Sequence, residues 1–192
     1  MGIEYEYKFK LNFPTFLALN DAFPQEATEI QMETVYYDTP FGALSSRHYT
    51  LRRRLENGVA VCTLKTPAGD ARNEWETENM LIENAIPQLI AQGAPAELAE
   101  LAMEGLSPIC GAKFTRIAKT IPITEGILEM ALDHGHLFAG NRTAPLYEVE
   151  LELKSGSKKS FDLFVWSVAG EFLLEKEPES KFSRALALYK GE

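Results

Sequence analysis

Residues 3–11 have the sequence Ile-Glu-Tyr-Glu-Tyr-Lys-Phe-Lys-Leu, in which apolar or aromatic side chains alternate strictly with charged ones. Successive side chains of a β-strand point to opposite faces of the sheet, so this segment predicts a strand with one apolar and one charged face. Residues 149–154, Val-Glu-Leu-Glu-Leu-Lys, repeat the pattern near the other end of the chain, and Glu148 extends it. The two segments predict a fold built mainly from two-faced strands.

The rest of the chain contains further predicted strands and fewer predicted helices. Six segments between the two alternating stretches are predicted strands: 50–56, 59–66, 72–79, 114–124, 127–133 and 136–139. Turn signals such as Asn57-Gly58 and His134-Gly135 separate them. Apolar residues at helical spacing predict five helices: 15–23, 86–92, 96–104, 158–169 and 184–189. Strands joined mostly by short turns predict an α+β fold in which helices are appended to an antiparallel barrel or sandwich. No linker-like tract divides the chain, so we expect residues 1–192 to form a single domain.

Composition and charge restrict the class of function. The 192 residues include 19 Lys plus Arg against 28 Asp plus Glu, and the net charge of −9 disfavours a protein that coats nucleic acid. No apolar run approaches the roughly 20 residues that cross a bilayer, and the N-terminus has no apolar region typical of a secretory signal. The two cysteines, Cys62 and Cys110, lack zinc-ligand spacing and predict a reducing, cytoplasmic location. We therefore expect no nucleic-acid or membrane partner, whereas the oligomeric state stays open.

The charged faces of the predicted strands are segregated by sign. A one-sided sheet normally turns its charges to solvent, and this ordinary arrangement is one interpretation. Like charges side by side destabilise a sheet, however, so repeated glutamates also suit a bound divalent cation, and repeated arginines suit a bound phosphate. On this second interpretation the charged faces line an internal polar cavity, and helices cover the apolar outer faces. The acidic set is Glu4, Glu6, Glu148, Glu150 and Glu152, and the basic set is Arg52, Arg54, Lys65, Arg72 and Arg116.

A series of short motifs, in order along the chain, resembles the CYTH superfamily, the triphosphate tunnel metalloenzymes. Each motif alone is unspecific, but their order over nearly the whole chain makes the resemblance strong, especially to bacterial inorganic triphosphatases. The motifs are Glu4-x-Glu6-x-Lys8, Tyr36-Tyr37-Asp38-Thr39-Pro40, Leu51-Arg52-Arg53-Arg54, Thr63-Leu64-Lys65, Arg72-x-Glu74-x-Glu76, Arg116, Glu129 with Asp133, Glu148-x-Glu150-x-Glu152-x-Lys154, and Ser180-Lys181 followed by Arg184.

The resemblance implies a closed eight-stranded antiparallel β-barrel, the triphosphate tunnel, with helices packed outside. It also implies a hydrolase that uses Mg²⁺ or Mn²⁺ to cleave the terminal phosphate of a small-molecule triphosphate, with inorganic triphosphate (tripolyphosphate) as the first expectation. Thiamine triphosphatases and class IV adenylate cyclases share these features and are alternatives. A module that binds polyphosphate or a nucleotide without turnover is a further alternative.

The resemblance also implies roles for individual residues. One glutamate, Glu74 or Glu152, would orient the attacking water as a base. The pair His134-x-His136 could bind a metal, but it is expected to lie exposed in a hairpin turn, and the preference of Mg²⁺ for oxygen ligands disfavours a ligand role. The implied metal ligands are Glu4, Glu6, Asp133, Glu148 and Glu150. The implied substrate-binding residues are Lys8, Arg52, Arg54, Lys65, Arg72, Arg116, Lys181 and Arg184, and the implied catalytic residues are Glu4, Glu6, Lys8, Glu74 and Glu152.

Overall fold

The computed structural model describes residues 5–69 and 71–191 of the chain. A short 3₁₀ turn, Ser45–Arg47, lies in the connection between the second and third strands. No helix in the described part of the chain is both long and apolar enough to cross a membrane. The elements are β1 (Glu6–Lys10), α1 (Phe13–Ala22), β2 (Ala27–Asp38), β3 (Thr50–Glu56), β4 (Val59–Ala68), β5 (Ala71–Glu78), α2 (Ile82–Ala91), α3 (Glu97–Met103), β6 (Ser107–Ile123), β7 (Gly126–Ala139), β8 (Arg142–Gly156), α4 (Lys158–Glu171), β9 (Glu175–Lys176) and α5 (Lys181–Lys190).

The strands form one sheet with the order β5-β4-β3-β2-β6-β7-β8-β1-β9. The predicted α+β class and the antiparallel sheet are confirmed. The sheet has nine strands rather than the expected eight, because the two-residue strand β9 pairs with β1. β5 and β9 end the order, so the strand pairings of the described residues do not close the sheet into the expected eight-stranded barrel.

The chain divides into two compact units. The first unit comprises Met1–Ile30, Phe114–His136 and Pro145–Ser180. The second comprises Gln31–Lys113, Leu137–Ala144 and Lys181–Glu192. Each unit is assembled from three separate stretches of sequence, so its packing depends on residues that are far apart along the chain.

In the first unit, one face of the strands packs against α1 and α4. Phe9 of β1 lies opposite Val149 of β8, and both are fully buried. Because side chains alternate, the charged residues of β1, β7 and β8 point to the opposite face. The buried core of this unit includes Phe9, Phe16, Leu19, Leu128, Met130, Leu132, Val149, Leu151, Phe161 and Val165.

In the second unit, β3 and β4 pack against α2 and α3. Arg53 lies opposite Cys62, which is fully buried in this core, so Arg53 belongs to the helix-covered face. Arg52 and Arg54, one residue away on either side, belong to the other face, as the alternation predicts. The core of this unit includes Leu51, Cys62, Leu64, Ile82, Ile86, Leu89, Leu98 and Leu101.

The predicted hairpin turn at His134-Gly135 is wrong. β7 runs without interruption from Gly126 to Ala139, so the two strands predicted at 127–133 and 136–139 are one strand. The His134 ring packs edge-on against Phe16 of α1, with the ring centroids 5.1 Å apart. This contact with α1 stabilises an extended conformation at a dipeptide that would favour a turn in isolation, and only His136 of the histidine pair is exposed.

Candidate metal and phosphate sites

Three carboxylates of the first unit form a compact cluster. Asp133 of β7 and Glu148 and Glu150 of β8 each offer an oxygen, and these oxygens all lie within 4.8 Å of one another. Asp133 and Glu148 are fully buried, and the Glu150 side chain is 19% exposed. Clustered carboxylates at such depth repel one another and need a cation nearby. The all-oxygen donor set matches the ligands that Mg²⁺ and Mn²⁺ prefer, so these residues could hold a divalent ion.

Arg116 of β6 supplies a cation to this cluster. Its Nε and Nη2 atoms donate to Oδ1 and Oδ2 of Asp133, both at 2.8 Å, in a two-pronged pair. Nη2 also donates to Oε2 of Glu150. Burial lowers the pKa of Arg116, but the hydrogen bonds and charges of Asp133 and Glu150 outweigh this effect and raise it above its usual value. Arg116, expected to bind substrate, therefore contacts two of the predicted metal ligands.

The strand pair β1–β8 places the remaining predicted residues of the first unit. Lys8 lies opposite Glu150, and Glu6 lies opposite Glu152. Lys8 Nζ donates to the carbonyl oxygen of Glu179 at 2.5 Å. Among the described residues, neither Glu6 nor Glu152 belongs to the three-carboxylate cluster.

Glu4, predicted as both a metal ligand and a catalytic residue, lies outside the described residues. Three of the five predicted metal ligands are thus brought together by the structure.

Lys154 binds the glutamate that was predicted as a possible base. Its Nζ lies 2.7 Å from Glu152 Oε2 and 3.5 Å from Glu129 Oε1. Burial lowers the pKa of Lys154, and the two glutamates outweigh this effect and raise it. Lys154 was absent from the predicted site, although its position two residues after Glu152 puts both on one strand face.

The predicted phosphate-binding residues of the second unit lie on the sheet face away from its core. Arg52, Thr63 and Glu76 are in register across β3, β4 and β5. Arg52 Nη2 lies 3.8 Å from Oε1 of both Glu74 and Glu76, and Lys65 Nζ lies 2.9 Å from Glu74 Oε2. Glu76 also accepts a hydrogen bond from Thr63 Oγ1 at 2.9 Å. Sequence reasoning missed a role for Glu76, although its spacing from Glu74 indicated a shared strand face.

Arg52 and Arg54 are cations in a poorly solvated setting. Their side chains are 13% and 28% exposed. Burial, and then the charge of Arg54, lower the pKa of Arg52. The Nε atoms of both arginines are buried and find no hydrogen-bond partner in the part of the chain that the structure describes. Buried donors of this kind favour an added acceptor such as a phosphate oxygen.

Tyr36 lies near these cations and also contacts the C-terminal helix α5. Burial raises the pKa of the Tyr36 hydroxyl, and the charges of Arg52, Arg54 and Lys181 oppose that rise. All three cations therefore lie near Tyr36. The Tyr36 ring packs on Phe182 of α5 with the ring centroids 4.7 Å apart, and this contact positions the start of α5. Lys181, the first residue of α5, thus lies near the same tyrosine as Arg52 and Arg54.

Two further predicted substrate-binding residues, Arg72 and Arg184, lie on β5 and α5. Arg72 of β5 is exposed, and its Nη2 donates to the carbonyl oxygen of His48 at 3.0 Å. Its guanidinium therefore binds the loop that precedes β3. Arg184 lies on α5 and is half-buried.

Comparisons with known proteins lead to the same family as the motifs. The CYTH domain family matches residues 2–185. An inorganic triphosphatase from Haemophilus influenzae is 28% identical over 166 residues, which cover 85% of this chain and 47% of that protein. The chain thus spans about half the length of this curated relative.

Solved structures share the fold. One is a Hippeastrum protein described as a candidate adenylyl cyclase with a dominant triphosphatase activity, with a TM-score of 0.70 and 20% identity over 99% of this chain and 97% of that chain. Another is a candidate adenylate cyclase from Bacillus halodurans, with a TM-score of 0.60 and 21% identity over 95% of this chain and 96% of that chain. Since the family match extends over nearly all of the sequence, and the motifs lie where the charged faces are, this chain belongs to the CYTH domain family.

Proposed function

We propose that this chain is a metal-dependent hydrolase that cleaves the terminal phosphate of inorganic triphosphate. The observation that carries the proposal is the cluster of three carboxylates, Asp133, Glu148 and Glu150, whose oxygens lie within 4.8 Å of one another. A divalent ion held by such a cluster neutralises and polarises the phosphoryl oxygens of a triphosphate. The Haemophilus influenzae relative is an inorganic triphosphatase, which supports the same choice.

The basic residues would neutralise the substrate. A triphosphate carries roughly four to five negative charges, and guanidinium forks bind phosphate oxygens through paired, charge-assisted hydrogen bonds. Arg52 and Arg54 suit this role because their buried Nε donors lack partners among the described residues. Lys65 and Lys181 would add point charges. Further contacts are proposed for Lys8, Arg72, Arg116 and Arg184.

The acidic residues would hold Mg²⁺ or Mn²⁺. Asp133, Glu148 and Glu150 supply the oxygen ligands, and Glu4 and Glu6 are proposed to complete the set. A divalent ion bound by carboxylates polarises phosphoryl oxygens and lowers the pKa of a coordinated water.

A glutamate would orient the attacking water. Glu152 is held by Lys154 Nζ at 2.7 Å, and Glu74 by Lys65 Nζ at 2.9 Å. An ionised carboxylate only accepts hydrogen bonds, so either group could fix a water by accepting one of its protons. Separate Glu74→Gln and Glu152→Gln variants distinguish them, because loss of the base lowers kcat while metal affinity is kept.

The proposal extends to the setting of the activity. Residues 1–192 would act as one CYTH domain, and the closed tunnel that the resemblance implies is part of the proposal. The partner would be a small-molecule triphosphate rather than a nucleic acid or a membrane. Cys62 and Cys110 are free, buried thiols, which suits the reducing cytoplasm.

A phosphate-release assay tests the function directly. Tripolyphosphate, ATP, thiamine triphosphate and pyrophosphate are compared with Mg²⁺ and with Mn²⁺, using Arg52→Ala as the inactive control. We expect fastest release from tripolyphosphate, and slower conversion of ATP to ADP and phosphate. Cyclic AMP as the main product would identify a cyclase instead. Faster release from thiamine triphosphate than from tripolyphosphate would identify a thiamine triphosphatase. Binding of triphosphate without turnover would indicate a binding module.

A further inference from the structure

Arg116 occupies the acidic cluster in a way that competes with a metal ion. Its guanidinium takes both oxygens of Asp133 at 2.8 Å and one oxygen of Glu150. The same two carboxylates belong to the three-carboxylate cluster with Glu148. A cation within ligand distance of these oxygens, about 2.0 to 2.6 Å, would lie only a few ångströms from the positive guanidinium. The two cations would repel each other strongly in a poorly solvated place.

The charge balance explains why Arg116 lies there. Three carboxylates, two of them fully buried, would be unstable together without a nearby positive group. The two-pronged hydrogen bonding of Arg116 to Asp133 supplies that charge. A divalent ion would supply more positive charge to the same oxygens, and Arg116 would then no longer be needed to neutralise them.

The surroundings of Arg116 allow it to move. Its side chain is 19% exposed, whereas Asp133 is fully buried, so the guanidinium lies at the more open side of the pair. The guanidinium carbon also lies 6.0 Å from the centroid of the Phe114 ring, a cation–π contact that is independent of the carboxylates.

We infer that Arg116 is an exchangeable counter-cation: it neutralises Asp133 and Glu150 in the metal-free chain and gives them up when a divalent ion binds. This inference rests on the proposed metal-dependent function for its purpose. Once released, the guanidinium fork is free to bind a phosphate oxygen. Occupancy of the acidic cluster thus controls when this arginine is available to a phosphorylated ligand.

The test measures Mn²⁺ binding to the full chain without any substrate, by isothermal titration calorimetry. Arg116→Gln removes the competing charge and should bind Mn²⁺ at least about fivefold more tightly than the parent chain. Lys113→Gln is the matched control, because Lys113 lies on the same strand, is exposed and leaves the acidic cluster unchanged. Asp133→Asn should weaken Mn²⁺ binding, which locates the measured ion at this cluster. Equal or weaker Mn²⁺ binding by Arg116→Gln, or unchanged binding by Asp133→Asn, would overturn the inference.

Stability gives a second readout. Without metal, Arg116→Gln should melt at a lower temperature than the parent, and Mn²⁺ should raise its melting temperature by more than it raises that of the parent. If Arg116→Gln is unfolded without metal, Arg116→Lys keeps the charge but loses the fork, and its Mn²⁺ affinity should be higher than that of the parent. Equal affinity would count against the exchange. A parent chain that binds Mn²⁺ as expected but hydrolyses no triphosphate would refute the proposed function and leave the exchange intact.

Discussion

Glu6 on β1 and Glu152 on β8 lie directly opposite each other in the antiparallel register. Like charges in this position destabilise a sheet, typically by a few tenths of a kcal/mol up to about 1 kcal/mol. Two residues further along, Lys8 lies opposite Glu150, so this face of the strand pair combines a repulsive row with an attractive one. Lys154 Nζ, 2.7 Å from Glu152 Oε2, offsets part of this repulsion, and Glu6 is proposed as a ligand of a bound cation.

Removing a carboxylate of that row tests metal dependence. Glu6→Gln should lower triphosphate hydrolysis by about 100-fold or more, because it removes both a proposed ligand atom and a negative charge, while the fold survives. A chelator should abolish turnover by the parent chain, and Mg²⁺ or Mn²⁺ should restore it. Steady-state phosphate release and circular dichroism measure the two effects. Glu125→Gln, an exposed change of equal charge, is the control, and full activity in metal-free buffer would contradict the prediction.

The three consecutive arginines of β3 test which face of the sheet binds phosphate. Arg52→Ala and Arg54→Ala should lose most of the stabilisation by tripolyphosphate, which is about 2.7 kcal/mol when the ligand is at 100 times its Kd. Arg53→Ala should keep it, since Arg53 lies on the core face opposite Cys62.

Without tripolyphosphate, we expect the same variants to change the melting temperature in the opposite order. Arg52→Ala and Arg54→Ala should leave the melting temperature unchanged or slightly higher, because burial and mutual repulsion make these charges costly. Arg53→Ala should lower it, because Arg53 Nη1 donates to the Met80 carbonyl oxygen at 3.3 Å. Melting curves with and without tripolyphosphate measure both properties. Loss of the ligand shift in Arg53→Ala together with its retention in Arg52→Ala would reverse the assignment of the faces.

The two thiols predict a loss of stability at alkaline pH. Burial raises the pKa of Cys62 to about 11 and that of Cys110 to about 12. The unfolded chain releases these protons near pH 8.5, so the folded state binds them more tightly. Their contribution is therefore fully present below about pH 8.5 and is lost as the pH rises through 11 to 12.

Urea unfolding under reducing conditions between about pH 8 and pH 11 measures this effect. The parent chain should lose more stability over that range than a variant with Cys62→Ala and Cys110→Ala. Since tyrosines and lysines titrate equally in both proteins, the difference isolates the thiols. Parallel pH profiles for the two chains would contradict the expected proton linkage.

Two glycines predict opposite effects of one added methyl group. At Gly111 of β6, a Cβ atom would lie 2.3 Å from the Thr34 carbonyl oxygen and 2.4 Å from the Phe138 ring. Gly111→Ala should therefore destabilise the chain by about 3 kcal/mol. At Gly170 of α4 such a Cβ has no described atom within 4 Å apart from its chain neighbours and the nearby backbone of its own helix, so Gly170→Ala should stabilise the chain by up to about 1 kcal/mol. Denaturant unfolding compares the two, and equal effects would contradict the close packing at Gly111.

The strand faces could be predicted from the sequence, whereas one whole strand could not. Arg52, Arg53 and Arg54 divide between the two faces as period-two alternation requires. β2 was missed because Thr34, Val35 and Tyr36 are all buried, and a strand covered on both faces loses the apolar–charged alternation that identifies a one-sided strand.

The site was predictable as a set of residue types but not as a set of contacts. The glutamates of β8 could be assigned to one face from their spacing. The bond between Arg116 and Asp133 joins residues 17 apart in sequence, and that between Arg116 and Glu150 joins residues 34 apart. Such pairings follow from the sheet order, and local periodicity contains no information about it. For the same reason Lys154 could be placed beside Glu152 but not beside Glu129.

The position of β1 between β8 and β9 also sets the order of events during synthesis. Strand β1 leaves the ribosome long before β8 and β9, the two strands that form hydrogen bonds with it. At about 5 to 20 residues per second, β1 waits on the order of ten to thirty seconds before residues 142–176 are complete. During that interval the backbone groups of β1 are open to pairing with other chains. The charged side chains of Glu6, Lys8 and Lys10, which alternate with apolar ones, protect the nascent segment against aggregation.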